Sequence, residues 1–217
     1  MITNKNCIIR LSRYKNSLYR LKALGFVKVF SDNLADAIGV TAEQVRKDFS
    51  LFGISGNKRG GYQVEPLIEK LNSILGKDRV QKVIVVGVGH IGTALMKYRG
   101  FEKEGIKICC GFDTDSSKHV RDGEVPILPI EELKEYVTTH QIRIGIIAVP
   151  DITAQQVVDL MLEAGIKGIL NFAPIRLRIP DDVVVNNVNL ELELENVIYF
   201  VNTLSKTGAI EFPKIDQ

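Results

Sequence analysis

The stretch 83-VIVVGVGHIGTALMKY-98 reads as a strand, a glycine-rich turn and a helix. Residues 83–86 form an unbroken apolar β-branched run, the pattern of a central parallel strand covered on both faces. Gly87, Gly89 and Gly92 then spell G-V-G-H-I-G, with His90 and Ile91 inside the turn, and residues 93–100 include helix-favouring Ala94, Leu95, Met96 and Lys97. In that setting the glycines serve a tight turn, close approach of backbone to a pyrophosphate, and close packing of helix on strand, with the helix N-terminus facing the phosphates. A lone G-x-G-x-x-G is weak evidence; between a strand and a helix it points to a dinucleotide site.

The next apolar run, 106-IKICCGFD-113, ends in Asp113, 21 residues after Gly92, with Thr114 beside it. A carboxylate there can accept hydrogen bonds from the adenosine ribose hydroxyls and repel a 2′-phosphate, favouring NADH/NAD+ over the phosphorylated cofactor. A plain turn aspartate is the alternative, since 113-DTDSS-117 is turn-like. Strand-like and helix-like segments continue to alternate: strands at 125–128, 142–149, 167–172 and 183–188, helices at 130–140 and 151–165. That series predicts an α/β fold with a Rossmann-type, doubly wound parallel sheet. Val149 with Pro150, and Asn171, Phe172, Ala173 and Pro174, follow strand ends, where such sheets bind ligands, so both turns are expected at the nicotinamide end.

Chemistry on a substrate would need an acid or base placed against the nicotinamide. The histidines are His90, inside the glycine turn, and His119 and His140, both in polar stretches typical of solvated surface. About 30 residues follow the last strand, so no substrate domain is expected. The sequence reads as binding a cofactor without using it, and not as an enzyme.

At 217 residues and 45% apolar, the chain can bury one good core and a second, smaller one. Its apolar runs are strand-length, far short of the roughly 20 residues of a membrane span, and residues 2–9 lack a signal peptide's layout. No membrane association and a cytoplasmic location are expected. Cys7 and the adjacent Cys109 and Cys110 make neither a disulfide framework nor a C-x-x-C metal spacing, so no metal is expected. The net charge of +2 hides an asymmetry: residues 1–80 hold 14 Lys/Arg and 7 Asp/Glu, whereas residues 81–217 hold 14 and 19. A basic module joined to an acidic one is what a nucleic-acid-binding segment produces, though a solvated basic surface gives the same count.

Within the basic module, Ile8, Leu11, Leu18, Leu21 and Leu24 recur at near-helical spacing and stop at Gly25. Ser31 reads as an N-cap for 32-DNLADAIG-39 and Thr41 as one for 42-AEQVRKDFSLF-52. Two short helices joined through a glycine resemble a helix-turn-helix whose second helix presents Gln44, Arg46, Lys47 and Ser50. Arg10 is a further DNA-facing candidate, and 53-GISGNKRGGYQV-64, with glycines around Lys58 and Arg59, reads as a β-hairpin wing. A winged helix-turn-helix over 1–80, a Rossmann domain over 81–189 and a C-terminal segment over 190–217 is the expected organisation.

Together, 45-VRKDFSLFG-53, 85-VVGVGHIGTAL-95, 165-GIKGILNFAP-174 and 194-LENVIYF-200 resemble the redox-sensing transcriptional repressors called Rex, a likeness that spans nearly the whole chain. It implies a homodimer that binds a palindromic, AT-rich operator when NADH is scarce and releases it when NADH binds. Arg46 and Lys47 would face the major groove, Lys58 and Arg59 the minor groove. It also implies that helix 190–204, apolar on more than one face, is exchanged between subunits. There are departures. The wing commonly reads close to G-K-R-G-x-G-Y, whereas here the basic pair is displaced by one position in Gly56-Asn57-Lys58-Arg59-Gly60-Gly61-Tyr62. Family members commonly carry an arginine at the place of Asn16 and an aspartate at that of Asn189, a pair that couples the cofactor state to DNA together with Tyr98. A nicotinamide- or nucleotide-binding enzyme or regulator with weak or no redox-linked DNA binding is the other reading.

Overall fold

The computed structural model describes residues 5–57 and 60–206. Lys58 and Arg59, the two wing cations, lie outside the described residues. The chain divides into two compact units, Met1–Val80 and Gln81–Gln217.

Among its described residues, four helices build the first unit: α1 (Lys5–Ala23), α2 (Ser31–Ile38), α3 (Ala42–Leu51) and α4 (Val64–Ile74). Leu11, Tyr14 and Leu18 of α1 meet Leu34, Val45, Phe49, Leu67 and Leu71 in one core. Leu24, expected on that stripe, is exposed, because α1 ends first and Gly25 turns the chain at φ 86°. Ser31 is the first helical residue of α2 and not its cap; the side chain of Asn33 reaches back to the N–H of Phe30 at 2.8 Å instead. Thr41 caps α3 as expected, its Oγ1 accepting the N–H of Gln44 at 3.1 Å. Between α2 and α3, Gly39 takes φ 73°, which makes the tight helix-turn-helix corner. Asn57 and Gly61 form a single antiparallel bridge, and β2 (Tyr62–Gln63) pairs with β1 (Lys28–Val29), a strand ahead of the helix pair. Helix α4 has no counterpart in the sequence reading, since Pro66 in its first turn resembles a loop marker; proline is tolerated at that end of a helix.

The second unit is a six-stranded, fully parallel sheet. Its strands are β3 (Gln81–Val86), β4 (Ile106–Asp113), β5 (Ile127–Pro129), β6 (Ile144–Ile147), β7 (Gly168–Asn171) and β8 (Val184–Asn187), in the order β5-β4-β3-β6-β7-β8. The chain starts in the middle, runs to one edge, returns and runs to the other, so the order reverses between β3 and β6. Alternation along β3 explains the layering. Ile84 and Val86 join Phe112, Ile147, Val158 and Met161 on one face, with α7 (Leu133–His140) and α8 (Asp151–Glu163); Val83 and Val85 join Ile108, Ile146, Leu95 and Phe101 on the other. The helix expected at 93–100 is two pieces, α5 (His90–Met96) and α6 (Gly100–Lys103), with Tyr98 in the turn between them and its ring edge-on to Phe101. Strand β5 begins two residues later than read, because a 3-10 turn at Ser116–Lys118 and an irregular stretch fill the crossover.

Helix α9 (Leu190–Lys206) closes the described chain. Asn189 caps it, Oδ1 accepting the N–H of Leu192 at 3.0 Å. Every described side chain from Leu190 to Leu204 is exposed, including Leu194 at 60% and Phe200 at 63%. No helix among the described residues is long and apolar enough to cross a membrane.

Candidate functional site

The C-terminal ends of β3, β4 and β6 align in register, Val86 beside Phe112 on one side and Ile147 on the other. A cleft of about 510 Å³ opens at that edge, lined by Gly87, Gly89, Asp113, Thr114, Val149 and Pro150 from the sequence reading. Gly87 holds φ 91°, and a Cβ there would stand 2.6 Å from the carbonyl oxygen of Ala148. A Cβ on Gly92 would stand 1.9 Å from the Gly87 carbonyl oxygen, so only glycine fits where α5 crosses the turn. Gly89 differs: a Cβ on it would meet no protein atom, so it faces open space at the cleft. Gly87 thus makes the turn and Gly92 the close packing, while Gly89 leaves the backbone bare at the cleft.

Asp113 is 9% exposed and fully engaged at one oxygen. Its Oδ2 accepts the N–H of Val88 at 2.7 Å and Nζ of Lys118 at 2.9 Å, and Oδ1 accepts the N–H of Asp115 at 2.9 Å. Burial pushes this carboxyl up, but the donors from Asp115, Lys118 and Val88 outweigh it and hold it below the ordinary carboxylate value. One residue therefore braces the glycine turn and presents a carboxylate to the cleft. Sequence reading found Asp113 but not Lys118, Ile130, Val157 or Leu160, which complete a slot with apolar walls and a charged end. Lys118 and Leu160 lack a motif; only folding carries them to the strand ends.

His90 and Ile91 sit exposed at the start of α5, outside the cleft lining, and Gly92 is buried beneath them. The turn 171–174 follows β7, whose Asn171 pairs with Ile147 of β6, so it shares the same sheet edge without lining the cleft. Asn171, expected to meet the cofactor, is committed within the chain: its Nδ2 donates to the carbonyls of Ala173 and Ile175 and to Asn187 Oδ1, and its Oδ1 accepts the Ala173 N–H. Its work is to shape the turn that offers Phe172, Ala173 and Pro174. His119 and His140 are likewise occupied by local carbonyls, those of Asp113 and Tyr136. Cys110 is buried and its thiol is pushed up to about 12 by that burial, which makes it unreactive. Among the described residues no cluster of His, Cys, Asp and Glu has the geometry to hold a metal ion.

On the first unit, α3 turns Val45, Asp48 and Phe49 inward and leaves Arg46, Lys47 and Ser50 exposed on one surface. Asp48 is 1% exposed and collects donors: Arg10 Nε and Nη2 at 2.6 and 2.7 Å, Tyr14 Oη at 3.0 Å, Gln44 Nε2 at 2.8 Å and Cys7 Sγ at 3.4 Å. Burial raises its carboxyl, yet the bonds from Arg10, Gln44, Tyr14 and Cys7 prevail and hold it below the ordinary value. Arg10, expected at the DNA, gives Nε and Nη2 to Asp48 and so clamps α1 to α3. Gln44 has its amide N–H turned inward to the same carboxylate, which leaves its carbonyl oxygen as the end available to a partner. No motif announced the Asp48 cluster, since Cys7, Arg10 and Tyr14 lie 34 to 41 residues from it along the chain. Asn16 is exposed on α1, and the oxygen of Asn189 is spent on its cap.

A winged helix-turn-helix unit followed by a Rossmann unit with a braced glycine turn defines a class, the nucleotide-binding transcription regulators. Residues 78–175 match the family model "CoA binding domain" and residues 5–50 match "Putative DNA-binding protein N-terminus". Curated relatives named redox-sensing transcriptional repressor Rex include that of Desulforamulus reducens, 44% identical over 87% of this chain and 90% of its own length, and that of Oenococcus oeni, 39% identical over 89% and 90%. The crystal structure of RSP in complex with β-NAD+ and operator DNA is similar with a TM-score of 0.88, at 35% identity over 96% of this chain and 97% of that one. RSP in complex with β-NADH gives 0.84, at 33% identity over 97% and 100%. The chain belongs to the Rex family of redox-sensing transcriptional repressors.

Proposed function

We propose that this protein is a cytoplasmic, homodimeric repressor that binds a palindromic, AT-rich DNA operator when NADH is scarce and leaves it when NADH binds. The observation that carries this reading is the double role of Asp113, which braces the glycine turn through Val88 and turns a carboxylate to the cleft where a ribose diol would lie. When bound, the dinucleotide supplies the redox signal, since its nicotinamide is neutral in NADH and cationic in NAD+. The protein's own residues do the rest. Gly87 and Gly89 would let the backbone approach the pyrophosphate, Ile130, Val157 and Leu160 would cover the adenine, and Val149 and Pro150, with the 171–174 turn beyond the cleft lining, would flank the nicotinamide. On the DNA side Arg46, Lys47 and Ser50 read or hold the major groove, and Lys58 and Arg59 enter the minor groove. Helix α9 is covered by a second subunit; its apolar faces on several sides call for more than one surface. Asn16 and Asn189 replace the charged residues common in the family, so an ion pair that would favour one state is missing and redox coupling is weaker.

The test is a mobility shift of genomic DNA fragments by the full chain, with and without NADH. A specific subset retained without NADH and released with it supports the reading; no retained fragment, or retention indifferent to NADH, refutes it.

A further inference from the structure

The ribose end of the cleft carries more than one charged side chain. A carboxylate oxygen has about two acceptor positions. On Asp113, Oδ2 already serves Val88 and Lys118 and Oδ1 serves Asp115, so a single position on Oδ1 is left for a ribose hydroxyl. A ribose diol brings two hydroxyls. Lys118 stands beside that position: its Nζ lies 2.9 Å from Asp113 and 3.9 Å from Asp115, and its side chain, 37% exposed, lines the same cleft. An ammonium has three donors, so after its bond to Asp113 it can still donate to a hydroxyl oxygen.

We propose that Lys118 is a specificity-determining residue of the ribose subsite, holding the second hydroxyl and offsetting the exclusion of a 2′-phosphate by Asp113. This rests on the dinucleotide reading above. Asp113 and Asp115 alone would face a 2′-phosphate with two like charges; Lys118 cancels one of them. The site therefore discriminates against NADPH less sharply than its carboxylate alone would. The 3-10 turn Ser116–Lys118 sets this geometry, because Asp115 caps it with a bond to the N–H of Ser117 at 3.0 Å and so fixes the start of the turn that delivers the lysine.

Calorimetric titration of the full-length protein with NADH and with NADPH, at one fixed salt concentration, tests this. Lys118→Met removes the charge and keeps an unbranched side chain only one atom shorter. The ratio of the NADPH to the NADH dissociation constant should rise on the order of tenfold or more, as expected when one unit charge is withdrawn from beside another in a medium between protein and water. Lys118→Arg, which keeps the charge, should hold that ratio within about threefold of wild type. Circular dichroism establishes that both variants are folded, and if the Met variant is not, Lys118→Gln takes its place with the same expected rise. An unchanged ratio in the neutral variant, with NADH still bound by wild type, overturns the proposal. A wild type that binds neither nucleotide overturns the dinucleotide reading, and the role of Lys118 with it.

Discussion

Replacing Asp48 by Asn leaves the shape of the side chain and removes its charge. All the groups around it are donors: Arg10 with two N–H groups, Tyr14, Gln44 and Cys7. An amide offers one acceptor and turns a second donor on them, so at least one bond becomes a clash and the guanidinium loses its counter-ion. Breaking a buried pair by removing one partner costs about 3–5 kcal/mol. Arg10 keeps 24% of its side chain in solvent and can regain some hydration, which puts the loss nearer about 2–4 kcal/mol. At 1.4 kcal/mol per decade this is roughly 30- to 700-fold in the opening equilibrium of the helices it joins. Amide hydrogen exchange of the full chain, read by mass spectrometry, should show that loss of protection in α1 and α3, with β3 and β4 of the other unit unchanged. Operator affinity should fall as well, because α3 loses the clamp that orients it. Replacing both charged partners by apolar side chains, Arg10→Met with Asp48→Leu, should recover only part of the protection, since Tyr14, Gln44 and Cys7 lose their acceptor. Protection within threefold of wild type in the Asn variant would refute the assignment of Asp48 as the clamp.

Gly92→Ala drives a Cβ into the carbonyl of Gly87, so NADH binding should be lost while operator binding without NADH persists; calorimetry and mobility shift check the two arms. Truncation after Asn189 should convert a dimer to monomer or aggregate in sedimentation analysis, and an unchanged soluble dimer would count against the exchanged helix. Asn16→Arg with Asn189→Asp should enlarge the factor by which NADH lowers operator affinity, and an aspartate still caps α9, so stability is kept; an unchanged or smaller factor removes the latch reading. Because the carboxyl of Asp48 is held below its unfolded value, its stabilisation is full above that value and vanishes as pH falls through the lower folded one. Wild type and Asp48→Asn should therefore differ in melting temperature at neutral pH and converge well below pH 3.8.

Much of the Rossmann unit is legible along the chain because its determinants are local. The run 83–86, the glycines and Asp113 sit within about 30 residues, and each strand is followed by its own turn. The recognition helix is legible for the same reason, with Thr41 before it and Val45 and Phe49 marking its inner side. What escapes is what folding assembles from afar. Arg10 looks like any cation on a basic helix until Asp48 is brought under it, and the four bonds by which Asn171 holds its own turn have no signature in the sequence. Lys118 has no spacing rule, because a 3-10 turn rather than a helix delivers it. Helix α4 is hidden by Pro66, and α9 presents apolar residues on too many sides for a single inward face to be assigned.

The bonds of Asn171 also tie two pieces of the sheet edge into one mechanical part. Its side chain holds the 173–175 turn and Asn187 at the end of β8, and its carbonyl accepts the N–H of Val188 at 2.8 Å. The next residue, Asn189, is the cap of α9. The turn beside the cleft is thus hydrogen-bonded to the strand end from which α9 starts, a helix of 17 residues, about 25 Å long at 1.5 Å per residue. A tilt of only about 5° at that root would sweep the far tip by about 2 Å over such a length, so a small displacement of the turn, if passed to Asn189, would be enlarged along α9.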